Sequence, residues 1–289
     1  MANFMGQGTV PVSQASSAAT SLQTTSQLPP KIENYNFMTD VDFKYKMSHS
    51  QRGVAVIINN EEFDPDLEIT DRPGSRKDEQ SLIETFYFLG FEEVLVRRNL
   101  NAEPMVSFLK EVAKRDFTNS DCVMVAVLSH GTAGALYACD KTMGYNRVFA
   151  PFRDSPTLKG KPKIFIMQAE RGDDTDPMMQ IQFDAVPTAH NQPKALVISK
   201  ESDVFVAHST ADGYLVWRDN QLGSWFIQSF CQVMTKDGQR LEIHELMARV
   251  NQMVAYTCTL RALQPQYNKA KQCPYFTSTL TKSLVFSQK

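Results

Sequence analysis

The chain has 289 residues, 42% of them hydrophobic and 21% charged, with a formal net charge of −2. That length holds one large domain or two small ones, and the near-neutral balance gives no electrostatic ground for a nucleic acid or an anionic membrane as partner. No apolar run reaches the roughly 18 residues of a membrane span. The start, "MANFMGQGTVPVSQASSAAT", lacks the basic flank and apolar stretch of a secretory signal, and Ala2 is incompatible with N-myristoylation. The five cysteines (Cys122, Cys139, Cys231, Cys258, Cys273) show no C-x-x-C spacing. An odd count without a secretion signal predicts reduced thiols in a cytoplasmic protein, most of them packed as small core hydrophobes.

Residues 1–42 are rich in Ser, Thr, Gln and Ala and carry few charges. Such a composition buries too little apolar surface to offset chain entropy, so it predicts a disordered tail. From residue 53, strands and helices alternate. "VAVIINN" is a strand-type apolar run. "SRKDEQSLIETFYFLGF" predicts a helix with Leu82, Phe86 and Leu89 on one face; Ser75 with Asp78 reads as its start signal and Gly90 as its stop. "EVLVRR" predicts a strand and "NAEPMVSFLKEVAKR" a helix with Met105, Phe108, Leu109 and Val112 on one side. "CVMVAVLS" and "KIFIMQA" follow as buried strands. Near-continuous apolar strands separated by helices indicate a mostly parallel sheet covered on both faces.

Residues 173–202 interrupt this rhythm with three prolines and no sustained period, which predicts a linker or long loop. Regularity returns with "VFVAHST" (strand), "SWFIQSFCQVMTK" (helix) and "EIHELMARVNQMVAYT". The last places Ile243, Leu246, Met247, Val250 and Val254 at helical spacing. "CPYFTSTL" predicts a closing strand. The organisation expected is a tail (1–42), a first part of the fold (43–172), the linker (173–202) and a second part (203–289).

In such sheets chemistry sits where strands end at their carboxyl edge. Two strands end in polar signatures: Ser129-His130-Gly131, and Gln168 to Gly172 in "QAERG". His130 beside Gly131 could be a general base next to a backbone N–H that stabilises an oxyanion. A histidine after a strand is also a common structural hydrogen-bonder, and these residues alone do not separate the two.

From about Tyr45 to Phe286 the chain resembles the caspases, the aspartate-directed cysteine proteases. "SHGTAG" resembles the loop carrying the catalytic histidine, and "GKPKIFIMQAERG" the strand ending in the Q-A-C-x-G pentapeptide. "RPGS" resembles the segment bearing a substrate-binding arginine, "YLVWRD" the substrate loop of the small subunit, and "GSWFIQSFC" the helix after it. The resemblance implies a three-layer α/β sandwich around a mostly parallel six-stranded sheet, with residues 43–172 and 203–289 as the large- and small-subunit parts. It implies His130 and Gly131 as retained catalytic histidine and oxyanion-hole glycine. It assigns Arg72, Gln168 and Arg218 to the clamp for a substrate aspartate, which two guanidiniums and an amide would hold by charge-assisted hydrogen bonds. Trp217 matches an aromatic that packs on substrate side chains. Leu215 and Val216 depart from the pattern, replacing an aromatic and a small polar residue.

The larger departure is Glu170, which stands in the position of the nucleophilic cysteine. A caspase thiolate attacks the scissile carbonyl to form an acyl-enzyme. A carboxylate is a poor nucleophile toward an amide, and acyl transfer to it gives an unstable anhydride. Glu170 is therefore expected to pair with His130, leaving the histidine a poorer base, and the chain to lack proteolytic activity. Glu170 acting as general base on water is one enzymatic alternative. The other is an active aspartate-directed cysteine endopeptidase whose cysteine has been altered in this chain, although engineered knock-outs usually introduce Ala or Ser. No H-E-x-x-H is present, and neither a metal nor a cofactor is expected.

Within the linker, Asp184 precedes Ala185-Val186-Pro187-Thr188. By resemblance Asp184 is a processing site, and the Ala-Val-Pro-Thr end it would release looks like the tails that occupy inhibitor-of-apoptosis proteins through a buried α-amino group. An arbitrary four-residue match is the alternative. Asp42, in "TDVD", is a second processing candidate. "CPYFTSTL" corresponds to the dimer-interface strand of the family, which implies pairing with an active caspase or a second copy.

Overall fold

The computed structural model describes residues 43–132, 134–171, 201–257 and 271–289. The candidates Asp42, Asp184 and Ala185 to Thr188, and Cys258, lie outside these residues.

The first half alternates as its pattern predicts. Strand β1 (Gln51–Asn59) leads to helix α1 (Ser75–Phe88), β2 (Glu93–Arg98), α2 (Ala102–Ala113) and β3 (Ser120–Leu128). Three short strands follow: β4 (Gly131–Thr132), β5 (Ala135–Tyr137) and β6 (Thr142–Gly144), joined as a small antiparallel sheet. Helix α3 (Asn146–Arg153) then precedes β7 (Lys163–Gln168). The second half contains β8 (Val204–His208), the two-residue strands β9 (Arg218–Asp219) and β10 (Gly223–Ser224), α4 (Trp225–Asp237), α5 (Ile243–Thr257) and β11 (Tyr275–Ser278).

The main sheet has six strands in the order β11-β8-β7-β3-β1-β2. Every neighbouring pair is parallel except β11 with β8, which is antiparallel. Alternation along each strand divides the apolar runs between two cores. Ala55, Ile57, Met124, Ala126, Ile164 and Ile166 face α1, α4 and α5, where Phe86, Phe226, Phe230 and Met247 are buried. Val54, Val56, Ile58, Val123, Val125, Phe165 and Met167 face α2 and α3, where Met105, Leu109 and Phe152 are buried. Strands covered on both faces need apolar residues at every position, hence their unbroken runs. Each buried Val, Ile or Phe contributes about 1.5–3 kcal/mol relative to exposure.

Two local readings change. Helix α1 starts after Gly74 without a side-chain cap, and Ser75 Oγ is buried with no hydrogen-bond partner. Asp78 is turned inward, and its carboxylate serves β10 and α4 rather than the helix end. Phe108 is only partly buried: its ring carries the Arg97 guanidinium, 4.6 Å from the centroid. Cys122, Cys139 and Cys231 are buried, as small core hydrophobes are, whereas Cys273 is exposed. Among the described residues, no helix is long and apolar enough to cross a membrane.

Candidate active site

Strands β3 and β7 are parallel neighbours with Leu128 opposite Gln168, so the residues that follow each strand emerge side by side. Ser129 N extends the ladder to Gln168 O at 3.0 Å. This adjacency brings His130, Gly131, Gln168 and Glu170 together from two sequence segments.

The Glu170 carboxylate is the centre of the cluster. Its Oε2 lies 3.2 Å from His130 Nδ1 and accepts the Gly131 backbone N–H at 3.1 Å. The other imidazole nitrogen, Nε2, is 2.8 Å from the Thr70 carbonyl oxygen, and the ring packs 5.1 Å from Phe63. His130 and Glu170 side chains retain only 18% and 16% exposure, so solvent screens the pair weakly. Burial pushes the Glu170 carboxyl up, but the His130 hydrogen bond, the His130 charge and Arg72 outweigh it and hold the group below the usual carboxylate range. A side chain at Gly131 would not fit: its Cβ would meet Glu170 O at 2.2 Å.

Arg72, from the loop before α1, is fully buried. Nη1 donates to Asn60 O at 3.0 Å, while Nε and Nη2 have no partner. Burial, then the Arg218 charge, pushes its guanidinium down to about 10, partly opposed by Glu170, so it stays charged at neutral pH. Gln168 is equally buried, and both polar atoms of its amide are unpartnered. Arg218 donates from Nε to Pro73 O at 3.0 Å, next in chain to Arg72. Burial lowers its pKa too, against the nearby Glu170 and Asp78 carboxylates. Buried donors without a partner are costly, and those of Arg72 and Gln168 are left free to meet an acceptor.

Leu215 and Val216 are half-buried in the segment leading into β9. Trp217 is held there by backbone N to Gln272 Oε1 at 2.9 Å and Nε1 to Lys271 O at 3.2 Å, and its ring stands 6.3 Å from Trp225. Gln272 in turn donates to Ser209 O at 2.7 Å, and Ser209 Oγ donates to Ala169 O at 2.9 Å. The residue before Glu170 is thereby tied to the segment carrying Trp217.

Residues 52–285 match the Caspase domain family. The chain belongs to the caspase family. It is 35% identical to Caspase-7 of Gallus gallus over 250 residues, covering 84% of this chain and 80% of that one. To Caspase-3 of Mesocricetus auratus it is 35% identical over 248 residues, covering 85% and 88%. The crystal structure of Caspase-1 from Spodoptera frugiperda aligns with a TM-score of 0.78 at 35% identity, covering 86% of this chain and 94% of that one.

Within this caspase fold, three neighbours of the site were not evident from the sequence. Thr70 acts through its carbonyl, which no side-chain pattern announces. Phe63 lies in an irregular segment with no period to betray its ring. Asp78 sits at helical spacing, where a first-turn acid reads as a start signal.

Proposed function

We propose that this chain is a caspase homologue without peptide-bond-cleaving activity, which regulates apoptotic caspase activity in the cytoplasm through protein binding. The observation that carries the reading is that a single oxygen of the Glu170 carboxylate, Oε2, engages both His130 Nδ1 and the Gly131 N–H. It occupies the histidine nitrogen and the backbone N–H that would otherwise serve a nucleophile and a developing oxyanion. In the aspartate clamp of Arg72, Gln168 and Arg218, the first two keep unpartnered donors, which supports docking of an aspartate-containing peptide without cleavage. Among the described residues, edge strand β11 has a single neighbour, β8, and this supports pairing through β11 with an active caspase or a second copy. The linker supplies a further partner: cleavage after Asp184 would expose Ala185-Val186-Pro187-Thr188 to an inhibitor-of-apoptosis protein.

A fluorogenic aspartyl-peptide assay tests the central claim, run on the unmodified chain and on Glu170→Cys. Turnover by the unmodified chain at ordinary caspase rates would overturn it. Silence in the unmodified chain with activity in Glu170→Cys supports it. That activity would also favour the second reading, a cysteine endopeptidase altered at one position, for which the intact arrangement of His130, Arg72 and Gln168 speaks. Affinity for an inhibitor-of-apoptosis protein, measured before and after cleavage at Asp184, tests the last partner; no gain on cleavage removes it.

A further inference from the structure

The hairpin formed by β9 and β10 carries Arg218, yet it consists of two residue pairs, Gly223 with Asp219 and Ser224 with Arg218. So small a ladder cannot fix the position of a long side chain by itself. Arg218 is held at its side chain by Pro73 O, and Trp217 before it by Gln272 and Lys271; the β10 side of the hairpin is held by α1. Asp78, fully buried in the first turn of that helix, accepts the Ser224 N–H with Oδ1 at 2.9 Å and with Oδ2 at 3.1 Å. Its Oδ1 also accepts Gln228 Nε2 at 2.8 Å, and Gln228 Oε1 accepts the Ser81 hydroxyl at 3.2 Å, which orients the amide. Gly223 has φ 88°, and a Cβ there would meet Asp78 Oδ1 at 2.4 Å, so the hairpin backbone closes directly on the carboxylate. Ser224 Oγ accepts the Ile227 N–H at 3.3 Å as the cap of α4, so the latched residue also begins the next helix.

We infer that Asp78 is the positioning residue of the carboxylate clamp: it latches the β9–β10 hairpin to α1 and so sets Arg218 against Arg72. The inference rests on the clamp reading above. Two features make the role more than structural. Ser224 is the register partner of Arg218, so the latch acts one strand spacing from the clamp. After Glu170, the Asp78 carboxylate is also a nearby opposite charge for both guanidiniums, so the two carboxylates together offset the repulsion between the arginines.

The test compares affinities for two peptides that differ only in an internal Asp or Asn. A general loss of stability lowers both affinities together, whereas clamp geometry sets their ratio. In the unmodified chain the Asp peptide should bind more tightly, and Arg218→Ala should abolish the preference. Asp78→Asn should lower affinity for the Asp peptide about tenfold while leaving the Asn peptide unchanged. A folded Asp78→Asn with the full Asp preference overturns the inference and leaves the clamp standing. An unmodified chain with no Asp preference overturns both. Should Asp78→Asn fail to fold, Gln228→Ala removes one partner of the latch from a half-buried position. A reduced ratio in that variant supports the inference, and an unchanged ratio overturns it.

Discussion

Glu170 Oε2 lies between His130 Nδ1, at 3.2 Å, and the Gly131 N–H, at 3.1 Å, so one carboxylate oxygen satisfies both groups. Because the folded protein holds this carboxyl below its ordinary range, the pairing stabilises the fold above the ordinary value of 4.5. It is lost as pH falls through the lower folded value, since protonation removes the charge. Glu170→Gln should therefore cost about 1 kcal/mol at pH 7. The difference should shrink below pH 4.5. Urea denaturation of both forms across that range checks it, and a difference constant with pH would exclude the ion pair.

Restoring sulfur should restore chemistry only if the rest of the site is competent. Loss of a covalent nucleophile commonly costs on the order of 10⁶ in turnover. Glu170→Cys should raise aspartyl-peptide cleavage by at least about 10³ over the unmodified chain. Glu170→Ala frees the same two hydrogen-bonding groups without adding a nucleophile and should stay silent. Equal activity in the Cys and Ala variants would point to water attack.

Arg72 pairs function against stability. It is a buried cation with one hydrogen bond, to Asn60 O, and two unpartnered nitrogens. Arg72→Met, similar in shape and uncharged, should raise unfolding stability by about 1 kcal/mol. The same variant should lose the preference for an Asp over an Asn peptide. A stability loss would show that the guanidinium is better satisfied than its contacts indicate.

His208 should make the fold acid-sensitive. Its ring is 6% exposed, stacks on Tyr275 at 4.9 Å and has an unpartnered Nδ1. Burial, followed by the Arg171 charge, pushes its pKa down from 6.5 to about 3. Below pH 6.5 the unfolded chain takes up a proton that the folded chain refuses, so stability falls as pH drops toward the folded value. The penalty relative to His208→Phe should reach at most about 2 kcal/mol at pH 5. Parallel pH–stability curves for the two proteins would refute it.

The parallel sheet was legible because burial on both faces demands apolar residues at every strand position, and that signature is local. Helices α1, α2, α4 and α5 were legible for the same reason, through their 3.6-residue period. Helix α3 was not: its eight residues contain Pro151 and bury only Val148 and Phe152, too few for a period to emerge. Strands β4–β6, β9 and β10 are two or three residues long, and strands that short are specified by their partners.

The residue types of the candidate site were readable in the chain itself, where Glu170 follows Gln168-Ala169. Which oxygen meets which donor was not readable, because His130 and Glu170 are 40 residues apart and meet only through the β3–β7 ladder. Asp78 shows the limit most clearly. In sequence it is a first-turn acid at the start of a helix, and only the packing of β10, 146 residues later, turns it inward. Sequence carries period, composition and substitution because these are properties of neighbours. The direction of a buried carboxylate is decided by what the rest of the chain brings to it.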